Sequence, residues 1–246
     1  MAEGKIALVT GAASGIGLAT ARHLAREGAA RLVLTDLDAG ALARVELPCL
    51  ADRIAGDVRD EAHWAEVAPY LDGLDLAVVN AGVAGAGAIA DLSLDEWRRI
   101  VSTNLDGAFL TLRAAMRAMT GGGAIVVVAS AAGIKAEPGV AAYGASKAGL
   151  LHLARVAAKE GAPRLRVNAI APAGVETPVW DAVPMFAERA AEIGRDAAFA
   201  ELAAMATPLG RYAKPEEIAA QIGFLLSDAA ATITSAVLTS DGGYLL

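Results

Sequence analysis

Cysteine is almost missing from this chain. Cys49 is the single one in 246 residues, so neither an internal disulfide nor a cysteine-built metal cluster is available. The lone thiol reads as a small buried hydrophobe. Aromatic residues are scarce at 4%, while apolar residues reach 55%. Ala, Val, Leu and Ile must therefore fill the core, as in a sheet buried on both faces. Basic runs are missing as well: the formal net charge is −7 and no block of Lys and Arg offsets it, which excludes a nucleic-acid surface. The longest apolar run, around residues 124–132, falls far short of the roughly 20 residues that a membrane-spanning helix needs. Met1 leads into a strand-like run ending at Val9 without a signal-peptide layout, so a cytoplasmic protein is expected. His23, His63 and His152 fall in separate helical stretches with no ligand spacing, and no metal site is expected.

What is present is a regular alternation. Short β-branched runs predict strands over 6–9, 31–35, 51–55, 74–80, 124–130, 164–170 and 236–239. Helical periodicity predicts helices over 16–27, 39–44, 61–70, 94–119, 141–160 and 215–226. Strands alternating with helices along the whole chain imply right-handed crossovers and an α/β fold: a parallel sheet with helices on both faces. No linker composition interrupts it, so residues 1–246 are expected to form a single domain. Ser93-Leu94-Asp95-Glu96 and Lys214-Pro215-Glu216-Glu217 mark two helix starts. Residues 178–209 break the alternation. Ala-rich and carrying Trp180, Met185 and Phe186, they read as a helical insertion at the carboxyl edge of the sheet, where a substrate lid would sit.

The first strand runs through Thr10-Gly11-Ala12-Ala13-Ser14-Gly15-Ile16-Gly17 into a helix. Glycines there permit a tight turn and a close backbone approach to a pyrophosphate, and the helix amino end attracts negative charge. A glycine-rich turn also serves merely to close a corner; its position between first strand and first helix favours the phosphate cradle. Asp36 ends the second strand, and a carboxylate there accepts ribose hydroxyls and repels a 2′-phosphate. No Lys or Arg in the Gly11–Gly17 loop or close behind Asp36 welcomes that phosphate, so NAD is expected over NADP. Against this stands the plainer reading that Asp36 only caps the short helix near Asp38.

Tyr143-Gly144-Ala145-Ser146-Lys147 opens a helix and puts Tyr143 and Lys147 on one face. Ser130 ends the fifth strand and so reaches the same sheet edge. Singly, a Tyr-x-x-x-Lys pair is a common surface contact and Ser130 a turn residue; beside a dinucleotide turn they acquire a joint meaning. Hydride addition to a carbonyl leaves an alkoxide that needs a proton. A tyrosine of ordinary pKa, about 10, is a poor base near neutrality, and an adjacent ammonium favours phenolate. Ser130 is placed to hydrogen-bond the substrate oxygen.

Together these motifs resemble the short-chain dehydrogenase/reductase family over essentially the whole chain. The resemblance rests on Thr10-Gly11-x-x-x-Gly15-Ile16-Gly17, Asp57-Val58, Asn80-Ala81-Gly82, Asn104, Ser130, Tyr143-x-x-x-Lys147 and Asp241-Gly242-Gly243. It implies a Rossmann-type, doubly wound seven-stranded parallel sheet and a catalytic set of Asn104, Ser130, Tyr143 and Lys147. It also implies that the cofactor is met by Gly11, Ser14, Gly15, Ile16, Gly17, Asp36, Tyr143 and Lys147, with Asp57 and Val58 at its adenine. Asn80, Ala81 and Gly82 would support the ribose, and Pro172, Val175 and Thr177 the nicotinamide end. Asn104 is implied to kink its helix and hold a water that relays protons from Lys147. A homotetramer or dimer is implied, with helices 94–119 and 141–160 between subunits.

Departures from the family pattern are Ala173 where glycine is usual after Pro172, Ser235 before the last strand, and the short segment after Asp36. The leading expectation is an NAD-dependent dehydrogenase of a secondary alcohol, diol or hydroxy compound, acting on no nucleic acid and no membrane. An NADPH-linked 3-oxoacyl thioester reductase is the enzymatic rival, and a non-catalytic cofactor sensor the other. Lys135 is either a contact for an anionic substrate or a solvated loop residue. Trp180 either closes over substrate or packs within the lid.

Overall fold

The computed structural model describes residues 2–246. In chain order the elements are β1 (Ile6–Thr10), α1 (Gly15–Arg26), β2 (Arg31–Asp36), α2 (Ala39–Ala43), β3 (Leu50–Ala55), α3 (Glu61–Val67), β4 (Leu76–Val79), α4 (Leu94–Val101) and α5 (Gly107–Ala118). They continue with β5 (Gly123–Val128), α6 (Ala141–Gly161), β6 (Leu165–Pro172), α7 (Pro184–Ile193), α8 (Arg195–Ala206), α9 (Pro215–Leu226) and β7 (Val237–Ser240).

All strand pairs are parallel, in the order β3-β2-β1-β4-β5-β6-β7. Successive residues of each strand serve opposite faces. Leu8, Ala77, Val79, Ile125 and Val127 pack on one side with Ala108, Leu112 and Ala115 of α5 and Leu150 and Ala154 of α6. Ala7, Val9, Val78, Val126 and Val128 pack on the other with Ala21 and Leu24 of α1 and Ile218 and Ile222 of α9. This double burial explains why the central strands read as unbroken apolar runs. The strand order reverses between β1 and β4, and the carboxyl ends of those neighbours open the crevice in which an open α/β sheet binds ligands.

Several boundaries differ from the sequence expectation, each for a local reason. β5 ends at Val128, and Ser130 lies beyond it as the cap of a 3-10 turn at 131–133, its Oγ accepting from the Ala132 amide at 3.2 Å. The helix expected over 94–119 is interrupted by a π-helical stretch at 102–106 that contains Asn104. Helix 61–70 closes early, α3 tightening into a 3-10 turn over 68–71. The 178–209 segment holds a 3-10 turn at 178–182 followed by α7 and α8, and its Phe186, Ala198, Phe199 and Ala203 form a small core with Tyr212 that follows it. No helix among the described residues is long and apolar enough to cross a membrane.

Candidate active site

β1 delivers the glycine turn to the crevice. A Cβ on Gly17 would stand 1.9 Å from the Gly11 carbonyl oxygen, and one on Gly11 would stand 2.8 Å from Nδ2 of Asn80. Only bare backbone fits where the turn folds onto the first helical residues. β4 clamps that turn from the side: Asn80 Nδ2 donates to the Thr10 carbonyl at 2.9 Å, and the Asn80 and Ala81 amides both donate to Thr10 Oγ1 at 3.0 Å. The amino end of α1, after the extended Ser14, therefore opens into the crevice as a fixed cluster of amides suited to a phosphate. A nicotinamide dinucleotide fits this cradle, because side chains are absent where its pyrophosphate would approach.

Asp36 lies beside the same turn. Its Oδ2 accepts from the Ala13 amide at 2.9 Å and its Oδ1 from the Asp38 amide at 3.0 Å. The cap of α2 is Asp38, which accepts from Ala41 at 2.9 Å. The capping reading of Asp36 thus gives way to a carboxylate held against the cradle. Asp57 has a partner the motif does not reveal: the Arg59 guanidinium donates to its Oδ2 at 2.6 and 2.9 Å and to its Oδ1 at 3.0 Å, and holds its carboxyl below the usual range. Val58 is buried against Gly107 of α5, and its carbonyl accepts from Trp64 Nε1 at 2.9 Å.

A cleft of about 510 Å³ joins these parts to the proton-transfer residues. Of the residues that the resemblance assigns to catalysis or to the cofactor, only Gly17 and Asn104 do not line it. Gly17 is beneath the turn. Asn104 is fully buried behind the cleft, with Oδ1 accepting from the Val83 amide at 2.8 Å and Nδ2 donating to the Val83 carbonyl and to Ser146 Oγ at 3.0 and 3.1 Å. It splices the segment after β4 to α6, one residue before Lys147. This side chain lies within the π-helical stretch, and such insertions are frequent at functional sites.

Ser130, Tyr143 and Lys147 meet at the carboxyl edge of β5. Burial pushes the Tyr143 phenol above its ordinary value, and a hydrogen bond with the Ser130 hydroxyl offsets part of that. Lys147 Nζ donates to the Val128 carbonyl at 3.0 Å and lies 5.7 Å from the centre of the Tyr143 ring. The expected lowering of the phenol by its lysine is thus not the dominant effect in the chain alone; desolvation is. The same desolvation pulls Lys147 down to about 8.

That shift has a consequence for stability with a definite sign. Between about pH 8 and the ordinary lysine value of 10.5, the unfolded chain binds more protons than the folded one, so stability rises with pH. Between pH 8 and 10 the gain is about 2 kcal/mol for a shift of this size. Above pH 10 the raised Tyr143 works in the opposite direction. Urea unfolding of the chain and of Lys147→Met across that range is expected to show the rise in the first and a flatter profile in the second; parallel profiles would refute it.

Other sequence expectations are redistributed. Lys135 is engaged by Glu137 at 3.2 Å, by the Tyr244 carbonyl at 3.2 Å and by the Tyr244 ring at 4.2 Å, so it is not a free cation for a substrate anion. Trp180 packs within the lid, stacked on Tyr212 at 5.4 Å beside Phe186 and Phe199, and it also lines the cleft. Gly174 admits Tyr212, whose ring would stand 2.2 Å from a Cβ there, which gives the glycine displaced by Ala173 a use one place later. Arg59, Arg99 and Thr103 line the cleft without having been picked out. Arg99 and Thr103 share a helix face with four-residue spacing, a signal that periodicity offers but no motif names. Arg99 is paired with Glu96 at 2.7 Å. His63 is buried and its Nε2 bonds Thr35 Oγ1 at 2.7 Å. Among the described residues no cluster of His, Cys, Asp or Glu is able to hold a metal.

Comparison with known proteins matches this geometry. A family model described as "Enoyl-(Acyl carrier protein) reductase" matches residues 11–245. The chain is 38% identical to the cis-4-hydroxycyclohexanecarboxylate dehydrogenase of Sinomonas cyclohexanicum, over 98% of this chain and 96% of that one. It is 35% identical to the 3-oxoacyl-(acyl-carrier-protein) reductase of Thermotoga maritima, over 99% of both. Among solved structures, levodione reductase superimposes with a TM-score of 0.88 at 32% identity, covering 98% of each chain.

Proposed function

Since the chain belongs to the short-chain dehydrogenase/reductase family and is an oxidoreductase of it, we propose that it moves a hydride between NAD and a neutral secondary alcohol, diol or hydroxy compound or the matching ketone. The observation that carries this reading is the meeting of Ser130, Tyr143 and Lys147 in one cleft with the glycine cradle. A nicotinamide dinucleotide, when bound, supplies the hydride acceptor or donor.

The protein's own part is the proton. In the reducing direction the Tyr143 phenol donates to the carbonyl oxygen, and its raised pKa keeps it in the form that does so. Ser130 Oγ hydrogen-bonds the same oxygen and steadies the charge that develops there. In the oxidising direction Tyr143 takes the hydroxyl proton. This needs positive charge near the ring, and the Lys147 ammonium at 5.7 Å contributes it. Asn104 keeps α6 in register with the segment after β4, so that Lys147 stays under Tyr143.

Charge around the cleft supports a neutral substrate. Asp36 ends β2 and Asp57 and Arg59 follow β3, at the far end of the strand order from β5 and β6, while Arg99 of α4 is paired with Glu96. After β5 and β6 the lining is Ala129, Val175, Pro178, Val179 and Trp180 beside Ser130 and Thr177, with Lys147 turned to a backbone carbonyl. In this reading residues 1–246 form a single cytoplasmic catalytic domain with 178–209 as its lid. It works as a homotetramer or dimer, a view favoured by exposed Phe109 and Val156 on α5 and α6. The reductase named in Thermotoga maritima makes 3-oxoacyl thioesters with NADPH the competing assignment. Purified protein is expected to reduce NAD with secondary alcohols or polyols, seen as absorbance of the reduced nicotinamide. Turnover of only a 3-oxoacyl thioester with NADPH would replace this proposal with its rival.

A further inference from the structure

Arg195 opens α8 immediately after Gly194, whose φ of +88° turns the chain sharply back from α7. One guanidinium nitrogen donates to the Thr177 carbonyl at 2.8 Å, and the other pairs with the Asp181 carboxylate. The guanidinium plane also covers two rings, 5.3 Å from the centre of Phe186 and 5.1 Å from that of Phe199. A single side chain therefore touches the segment after β6, the 3-10 turn, α7 and α8. Both attachments lead to the cleft. Thr177 lines it and lies so close to the phosphate turn that a Cβ on Gly15 would meet its methyl at 3.3 Å. Trp180, packed on Phe186 and Phe199, lines it too, and its Nε1 donates to the Val175 carbonyl at 2.9 Å.

We propose that Arg195 is a positioning residue that fastens the two-helix lid to Thr177, so that seating of the cofactor against Thr177 orders the lid over the substrate. This rests on the dehydrogenase reading above. The ion pair with Asp181 does not explain the arrangement by itself, because both side chains are about half exposed and such pairs contribute little to stability. What is specific is the fork. A planar guanidinium reaches a carbonyl, a carboxylate and two ring faces together, whereas an ammonium is a compact point charge without the flat fork that spans this set.

Hydrogen exchange on the full chain with and without NADH tests this, alongside NADH affinity by fluorescence. NADH is expected to slow amide exchange over 184–206 by about tenfold in the unmodified protein, the size of effect one well-formed charged contact supports. Arg195→Lys is expected to bind NADH at no more than about tenfold weaker affinity and to lose that slowing. In steady state its KM for the alcohol should rise about tenfold with kcat little changed. Asp181→Asn keeps the Thr177 bond and should keep the slowing. Equal slowing in Arg195→Lys, or loss of it in Asp181→Asn, would overturn the latch while leaving the dehydrogenase reading intact. No NADH binding by the unmodified chain would sink both.

Discussion

Tyr143→Phe is expected to lower kcat by about 10²- to 10⁴-fold, the usual worth of a positioned general acid or base, while NADH affinity stays within about threefold. The change removes one oxygen. The ring stays, so its packing in the cleft and its place over Lys147 persist. Stability should fall by no more than about 1 kcal/mol, because the phenol's hydrogen bond is to Ser130, and that hydroxyl still accepts from the Ala132 amide. Loss of turnover with retained binding and fold is the signature of a proton-transfer group; loss of all three would point to a structural one. Measured kcat, NADH fluorescence titration and urea midpoint separate these cases. An unchanged kcat on an active alcohol would remove the catalytic role from Tyr143, and with it the proposed mechanism.

The sheet is legible from the sequence because its central strands are buried on both faces, which writes them as compact runs such as Ile125–Val128. The glycine turn is legible because backbone crowding at Gly11 and Gly17 leaves a sequence mark that no other residue type can supply. The π-helical stretch at 102–106 is not. It inserts one residue, a phase change of about 100°, which an apolar period over a long helix absorbs without a visible break. Its cause is the bonding of Asn104 to Val83 and Ser146, contacts distant in the chain. The position of Lys135 is decided by Tyr244 near the opposite end of the chain, and that of Asp57 by Arg59. Arg195 escapes for a related reason: its partner is a main-chain carbonyl, which every residue possesses and no motif records.

Asp36→Asn is expected to shift the preference for NAD over NADP by about 10³-fold, or about 4 kcal/mol. Two effects add. A charged carboxylate accepting ribose hydroxyls is worth about 1.5–3 kcal/mol, and the amide keeps only part of that. Repulsion between the carboxylate and a 2′-phosphate a few ångströms away is about 2 kcal/mol or more at the effective dielectric of such a site, and the neutral amide removes it. Asparagine is the informative choice because its oxygen still accepts from the Ala13 amide, the 2.9 Å bond by which Asp36 is fixed to the glycine turn; the Asp38 amide, being exposed, turns to water. The turn keeps its shape, so the change reports charge alone. Ratios of kcat/KM with the two cofactors, before and after substitution, provide the measurement. If the unmodified chain already favours NADP by more than about tenfold, Asp36 does not decide the choice. The phosphate would then be read by Arg59 or Arg99, the two guanidinium groups already in the cleft, drawn away from Asp57 and Glu96 by a stronger anion.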